Sequence, residues 1–307
     1  MRNILVTGGA GFIGSNLTLT LQEKFPNAHI TVVDDFRSGD FKNLQGFKGD
    51  FVTADVSRLD WSAQFKDRVF DAIFHEASIT DTTVHDQFLQ CHDNIEGFRR
   101  LLEFAAPNQT TVVYASSAAT YGTGGGRMRE DQPPAPANVY AFTKVQLDNL
   151  GRQYARSNPA WRIVGVRYFN VYGPREKHKK AAASMIYQLY LQMKAGKRPR
   201  VFRAGEQKRD FVYVKDVVAL TIQAAHAPHS NIYNCGSSHP FSFNEVIAEL
   251  NRALKTNLEP EYFENPYPFY QPHTEADMTL AQNELKYSPA FTPQAGIADY
   301  VSILQGE

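Results

Sequence analysis

Tyr140 and Lys144 stand four residues apart in Tyr140-Ala-Phe-Thr-Lys144. On a helix, positions i and i+4 share one face, so a phenol and an ammonium can enter the same cleft. A free phenol has a pKa near ~10 and is a poor base at neutral pH, but a nearby cation favours the phenolate. Moving a proton to or from a hydroxyl is the chemistry such a pair serves. Upstream, Tyr114-Ala-Ser-Ser-Ala-Ala-Thr-Tyr-Gly122 sets small hydroxyls in a row, and Ser117 is placed to hydrogen-bond a substrate hydroxyl as it becomes a carbonyl. The Tyr-x-x-x-Lys spacing by itself is common and would equally suit a solvated helix face. Its weight comes from what precedes it.

Gly8, Gly11 and Gly14 form Gly-x-x-Gly-x-x-Gly between an apolar run and a helix-length stretch. Glycine there permits a tight turn, close approach of the backbone to a pyrophosphate and close packing of helix on strand. The helix N-terminus adds free N–H groups and a positive dipole. Asp34 closes the second apolar run, placed to accept hydrogen bonds from an adenosine ribose and to repel a 2′-phosphate. That favours NAD, but Arg37 and Lys42 follow closely and either could reach such a phosphate, so the cofactor is NADP or NAD. Asp55, after the third run, is a candidate to touch the adenine and equally a plain surface carboxylate. A nicotinamide ring held by this loop would add its positive charge to that of Lys144 beside the Tyr140 phenol.

The elements that must position these groups alternate in type. Short apolar runs at 3–7, 29–33, 50–53, 71–74, 110–114 and 162–167 are separated by helix-length stretches such as 12–24, 86–106 and 138–157. Short buried strands alternating with helices imply βαβ units and a parallel sheet covered on both faces. After Pro174 the rhythm changes: a helix is expected at 179–194, short strands at 199–204, 210–214 and 232–235, and helices at 242–254 and 293–304. The stretch 259–272 reads as an ordered loop and Gly124–Gly126 as a flexible one. The expected fold class is α/β, a Rossmann-type doubly wound parallel sheet with a smaller α/β C-terminal region that binds substrate. Residues 1–170, with segments near 205–240, form the dinucleotide-binding part, and 171–307 mainly the cap over the strand ends.

Bulk properties narrow the class. The 307 residues are 43% hydrophobic, enough for a sizeable core. Lys plus Arg is 32 and Asp plus Glu is 32, so the neutral chain is a poor nucleic-acid binder. Cys91 and Cys235 lie far apart without metal spacing, which fits reduced thiols better than a disulfide. The apolar run at the N-terminus is too short for a signal peptide, and no stretch approaches the ~20 apolar residues of a membrane span. A cytoplasmic protein without a membrane partner or a metal is expected.

The glycine loop, the serine segment and the Tyr-x-x-x-Lys pair together resemble the extended short-chain dehydrogenase/reductase superfamily, which includes nucleotide-sugar epimerases and dehydratases. Further segments are similar to its ADP-heptose 6-epimerase family: Phe74-His-Glu-Ala-Ser78, Arg167-Tyr-Phe-Asn-Val-Tyr-Gly-Pro-Arg-Glu176 with the following Lys177-His-Lys179, Lys208-Arg-Asp-Phe-Val-Tyr-Val214 and Thr274-Glu-Ala-Asp277. The resemblance runs from about residue 1 to 305. It implies a nucleotide-sugar substrate and a homo-oligomer, with Tyr140 as one acid/base, Lys179 as a second, Lys144 on the cofactor ribose and Ser117 on the reacting oxygen. It also implies that Phe12, Ile13, Asp34, Asp35, Glu76, Ala77, Ser78, Ile79, Thr80, Asn94 and Val171 line the cofactor. Asn170, Phe202, Arg203, Ala204, Gly205, Arg209 and Tyr270 would line the substrate. Arg209 makes separate sense as a bidentate phosphate clamp, against a structural salt bridge with Asp210 or another acid.

The chain departs from the family pattern at Lys180-Ala181, where Gly-Ser is usual, at Gln188, where a histidine is usual, and in the loop 124–129. A 4,6-dehydratase would carry an Asp-Glu pair where Ala118-Ala119 stand. A UDP-hexose 4-epimerase would need no second base at Lys179, and a protein that only senses the NAD(P) redox state usually lacks an intact Tyr-x-x-x-Lys. Lys179 would need a lowered pKa to act as a base, from burial and from its neighbours Lys177 and Lys180.

Overall fold

The computed structural model describes residues 1–80, 86–264 and 273–306. Its central strands are β1 (Asn3–Thr7), β2 (His29–Asp34), β3 (Asp50–Thr53), β4 (Ala72–His75), β5 (Thr111–Ser117) and β6 (Ile163–Tyr168). Within these runs neighbouring side chains take opposite faces. Ile4, Val32, Phe74 and Val113 enter one apolar cluster, while Leu5, Val33, Ile73 and Val112 enter the other. Burial on both faces explains why the runs read as continuously apolar rather than alternating. Helices α1 (Phe12–Lys24), α2 (Gln87–Cys91), α3 (Gly97–Ala105) and α4 (Val139–Ser157) connect them. Phe98, Leu101, Leu102, Leu147 and Leu150 of α3 and α4 cover one side, and Leu17 and Leu21 of α1 the other.

The second half contributes β7 (Asn170–Tyr172), α5 (Met185–Lys194), β8 (Lys208–Tyr213), α6 (Val214–Ala224), β9 (Ile232–Cys235), β10 (Pro240–Ser242), α7 (Phe243–Leu254), α8 (Thr279–Leu285) and α9 (Pro293–Gly306). The seven-stranded sheet runs β9-β6-β5-β4-β1-β2-β3, with every pair parallel. That order contains the doubly wound 3-2-1-4-5-6 arrangement, whose ligands bind beyond the strand C-termini where the order reverses, between β1 and β4. The Rossmann-type α/β class is the one the sequence pattern predicts. A small sheet, β10-β8-β7, stands beside it. Among the described residues, no helix is long and apolar enough to cross a membrane.

Three local expectations need correction. The stretch 86–106 is α2 and α3 joined by a π-turn at His92–Glu96, a widened turn that leaves Asp93 and Asn94 both buried. The expected helix at 179–194 begins only at Met185, where the Ser184 side chain accepts the Tyr187 N–H as an N-cap. Lys177–Ala182 is a 3-10 turn broken at Lys180, whose φ of 50° and ψ of −117° no helix tolerates. Part of 259–272 is a strand, Glu261–Phe263, paired with Arg200–Phe202, while residues 265–272 lie outside the described residues.

Candidate active site

The glycine loop joins β1 to α1 at the switch point. Gly8 sits at φ +69°, and a Cβ there would lie 2.5 Å from the Ala77 nitrogen. A Cβ on Gly14 would lie 2.0 Å from the Gly8 carbonyl oxygen, so the loop can close only around glycine. Gly11 is the N-cap of α1 and gives no side-chain cap. The leading N–H groups, including those of Phe12, Ile13 and Gly14, are thus left for an anion. In the facing segment Glu76, Ala77 and Ser78 follow β4, and the buried Ser78 and Ser116 hydroxyls have no partner among the described residues. A glycine cradle, an uncapped helix start and orphaned hydroxyls fit a dinucleotide.

Tyr140 and Lys144 lie on the first turns of α4, whose start is fixed by Asn138 accepting the Ala141 N–H at 2.8 Å. Lys144 is buried, donates to the Ala115 carbonyl at 2.8 Å, and holds its Nζ 5.7 Å from the centre of the Tyr140 ring. Burial lowers its pKa to about 8, against the opposing pull of Glu76 and Asp148. Ser117, at the end of β5, lies near enough to the half-buried Tyr140 phenol to pull its pKa down. These three groups are brought together as the spacing implies. The phenol differs from expectation in one respect: burial, with the Glu76 carboxylate adding, holds its pKa above the ordinary value despite the pull of Ser117. Asn94 braces this turn, with its amide on the Ile79 backbone and the Thr143 hydroxyl at 2.7–3.1 Å.

Glu76 is half-buried and accepts a 2.8 Å hydrogen bond from Tyr168, which also meets Thr221 at 2.8 Å. Desolvation lifts its carboxyl to about 7, although Tyr168 and Lys144 both pull it down. A titratable acid therefore stands in the cleft beside Tyr140 and Lys144.

Lys179 is carried by the 3-10 turn, which is pinned to the glycine loop. His178 bonds Asn43 at 3.0 Å, Asn43 bonds the Ala10 carbonyl, and Asn16 of α1 donates to the Pro174 carbonyl. The Lys179 ammonium lies 5.5 Å from the Phe12 ring centre. Its pKa is lowered by burial and partly restored by Glu176. The cause is burial rather than repulsion, and Lys177 and Lys180 are both exposed. Beneath the turn, fully buried Glu176 accepts from Gly173 and from the Ser184 backbone and hydroxyl, at 2.5–3.2 Å. Gln188 donates to the carbonyls of Ala181 and Ala183, tying the turn to α5.

At the other end of the loop, buried Asp34 accepts the N–H groups of Ala10 and Phe36 at 2.8 Å. Asp35 grips Arg37. Arg37 also meets Asp55 at 3.0 Å and Asp93, so it is engaged by carboxylates and is not held out for a 2′-phosphate. Asp55 is half-buried, its other oxygen taken by Ser57. Lys42 is exposed on the turn Phe41–Leu44.

Val171, matched to the cofactor, pairs with Val212 in the small sheet, and of the residues matched to substrate, exposed Asn170 accepts from Thr274 at 3.4 Å. Phe202 packs edge-on against Phe263, and the backbone turn Arg203–Gly205 is held by Asn244 donating to the Ala204 carbonyl at 2.7 Å. Arg209 donates to the Lys208 carbonyl. Asp210 is not its counter-ion: the carboxylate turns inward and accepts from Ser237, Ser238 and Ala276 at 2.6–3.0 Å. Tyr270 lies outside the described residues.

The NAD dependent epimerase/dehydratase family matches residues 4–236. The chain belongs to that family. It is 34% identical over 312 residues to the ADP-L-glycero-D-manno-heptose-6-epimerase of Brachyspira hyodysenteriae, covering 98% of each. Among solved structures it is similar to the ADP-L-glycero-D-manno-heptose-6-epimerase of Helicobacter pylori, with TM-score 0.92, 40% identity and coverage of 100% and 97%. It is also similar to the UDP-glucose 4-epimerase of Thermotoga maritima, with TM-score 0.92, 26% identity and coverage of 99% of each.

Membership in this family makes the cleft that of a nicotinamide-dependent epimerase or dehydratase. The sequence reading missed the groups that act on it from a distance: Tyr168 and Thr221 on Glu76, Asp93 on Arg37, and Asn43 and Asn16 on the Lys179 turn. Tyr168, Thr221 and Asn16 are polar residues inside largely apolar elements, the one signal the sequence carried for them, whereas Asp93 and Asn43 sit in polar or mixed turns that carry no such signal.

Proposed function

We propose that this chain epimerises ADP-D-glycero-D-manno-heptose to ADP-L-glycero-D-manno-heptose at C6″. The observation that carries the reading is the fastening of the Lys179 turn onto the glycine loop through Asn43 and onto α1 through Asn16. A UDP-hexose 4-epimerase has no need of a second acid/base there, and Ala118-Ala119 offer a dehydratase no carboxyl.

Epimerising a carbon that bears no acidic proton requires making it planar. A nicotinamide dinucleotide, held by the glycine loop and Lys144, supplies a site that takes a hydride from a carbinol carbon and gives it back. Tyr140 removes the hydroxyl proton at its phenolic oxygen while Ser117 holds the reacting oxygen. Lys144, as an ammonium, stabilises the phenolate. After the ketone turns over, Lys179 delivers a proton to the oxygen on the opposite face. Arg209 and the Phe202–Gly205 turn hold the nucleotide diphosphate. On this reading the enzyme is cytoplasmic and homo-oligomeric.

The test is proton NMR of ADP-heptose incubated with the protein in D2O, with UDP-galactose in parallel. Conversion of the heptose without deuterium entering C6″ is expected, because the same hydride returns. Turnover of UDP-galactose alone would overturn the sugar assignment, and deuterium at C6″ would overturn the route.

A further inference from the structure

We propose that Asp148 and Arg167 are positioning residues for the reaction: their buried pair locks the Tyr140–Lys144 helix to the turn that follows Ser117. The inference rests on the reading that Tyr140, Lys144 and Ser117 carry the reaction. Asp148 stands one helical turn beyond Lys144, so the two side chains leave the same face of α4. Arg167 of β6 donates from Nε and Nη2 to one Asp148 oxygen at 3.1 and 2.8 Å. The Tyr114 hydroxyl donates to the other oxygen at 3.2 Å. The two charged side chains are only 2% and 1% exposed. The same guanidinium lies 4.7 Å from the centre of the Tyr121 ring. Tyr121 closes the 3-10 turn Ala118–Tyr121, whose N-cap is Ser117, and its hydroxyl donates to Asn234 of β9 at 2.6 Å. One side chain on the sheet therefore meets both elements that carry the reacting groups.

Stability does not account for such a pair. Two buried charges regain by attraction about what desolvation costs them, and apolar replacements of similar size are often as stable. The best-attested use of a buried polar group is to fix register. Leu147 and Leu150 already seat α4 in the apolar cluster, but apolar contacts leave a helix free to slide or turn. Hydrogen bonds fix direction as well. Asp148 also acts through its charge. The titratable groups around the Lys144 ammonium are Tyr140 and Asp148 on its own helix and His75 and Glu76 at the end of β4. Tyr114 and Arg167 stand behind Asp148. Burial keeps His75 neutral, while Glu76 and Asp148 both raise the Lys144 pKa against the effect of burial.

Turnover per bound dinucleotide, KM and the pH profile are measured with ADP-heptose, or with UDP-galactose if that is the sugar converted. The variants are Asp148→Asn, and Asp148→Asn together with Arg167→Met. Asparagine keeps an oxygen for the Tyr114 hydroxyl. The single change leaves the Arg167 charge buried and unpaired; the double variant removes both charges and serves if the single one fails to fold. Turnover is expected to fall about tenfold or more with KM held within about twofold, because a small misplacement of reacting groups costs rate. The alkaline limb of the profile is expected to move to lower pH, which a mere loss of folded protein would not cause. Unchanged turnover, a loss confined to KM, or a limb that stays in place in a folded variant would each overturn the inference. Tyr140→Phe separates the two readings. If it turns over as the parent does, the assignment of the reacting groups fails; an inactive Tyr140→Phe beside an unimpaired Asp148 variant refutes the positioning role alone.

Discussion

Glu76→Gln probes the electrostatics of the cleft without emptying it. In the unfolded chain this carboxyl ionises near 4.5; in the fold, burial lifts it to about 7. The folded state therefore holds its proton more tightly, and ionised Glu76 opposes folding. Stability from this group is full below about pH 4.5, falls as pH rises, and is lost above about 7. The gap of about 2.5 pH units, at ~1.36 kcal/mol each, sets a cost of about 3 kcal/mol at pH 8. The attraction of Lys144 does not need subtracting, since it has already helped to bring the value down to about 7. Glutamine keeps an oxygen for the Tyr168 hydroxyl and carries no charge. Thermal melts of ligand-free protein across pH 4.5 to 8.5 should show the variant and the parent converging at the acid end. By pH 8 the variant should melt higher by roughly 6 °C, on the scale of ~2 °C per kcal/mol for a chain of this size. A difference that stays constant across the range would refute the reasoning, because a merely structural effect of the amide has no reason to follow the titration of a carboxyl.

Other expectations follow from the same geometry. On the proposed route Lys144 must be an ammonium to stabilise a phenolate, and burial brings its pKa to about 8, so the rate should fall as pH rises through 8; a profile flat to pH 10 would contradict this. Tyr140→Phe should cost ~10²–10⁴ in turnover while leaving dinucleotide binding measurable, which separates chemistry from cofactor loading. Asn138→Ala removes the N-cap of the helix carrying both residues and should lower stability by about 1 kcal/mol, read as a shift of the urea midpoint. Gly14→Ala should abolish dinucleotide binding, shown by absence of released cofactor, because its Cβ would meet the Gly8 carbonyl oxygen at 2.0 Å.

What was legible in the sequence was local. The strands of the first half follow from β-branched runs, and the Tyr140–Lys144 face from a spacing of four. The glycine loop follows from where only glycine fits. The errors were local as well. Ser184 is an N-cap that the apolar pattern through 179–194 concealed, and the π-turn at His92–Glu96 leaves a helical pattern almost undisturbed while moving Asp93 and Asn94 inward. Long-range partners were out of reach in principle. Tyr168 meets Glu76 across 92 positions, Arg37 meets Asp93 across 56, and Asn16 meets Pro174 across 158.

Those long-range contacts also account for the division of labour in the cleft. The Tyr140 helix is fixed by its own cap and by Asn94, on one face of the parallel sheet. The Lys179 turn belongs to the second half of the chain and would have no defined place without Asn16, Asn43 and buried Glu176. On the proposed route, reaction at two faces of one carbon demands that two acid/base groups from distant parts of the sequence keep a constant separation. Small polar side chains fastening the turn to the loop achieve this more reliably than apolar packing, because hydrogen bonds fix direction as well as proximity. Departures at Lys180, Ala181 and Gln188 fall within this fastening: Gln188 bonds two carbonyls of the turn, so the chain keeps the turn in place with a different side chain.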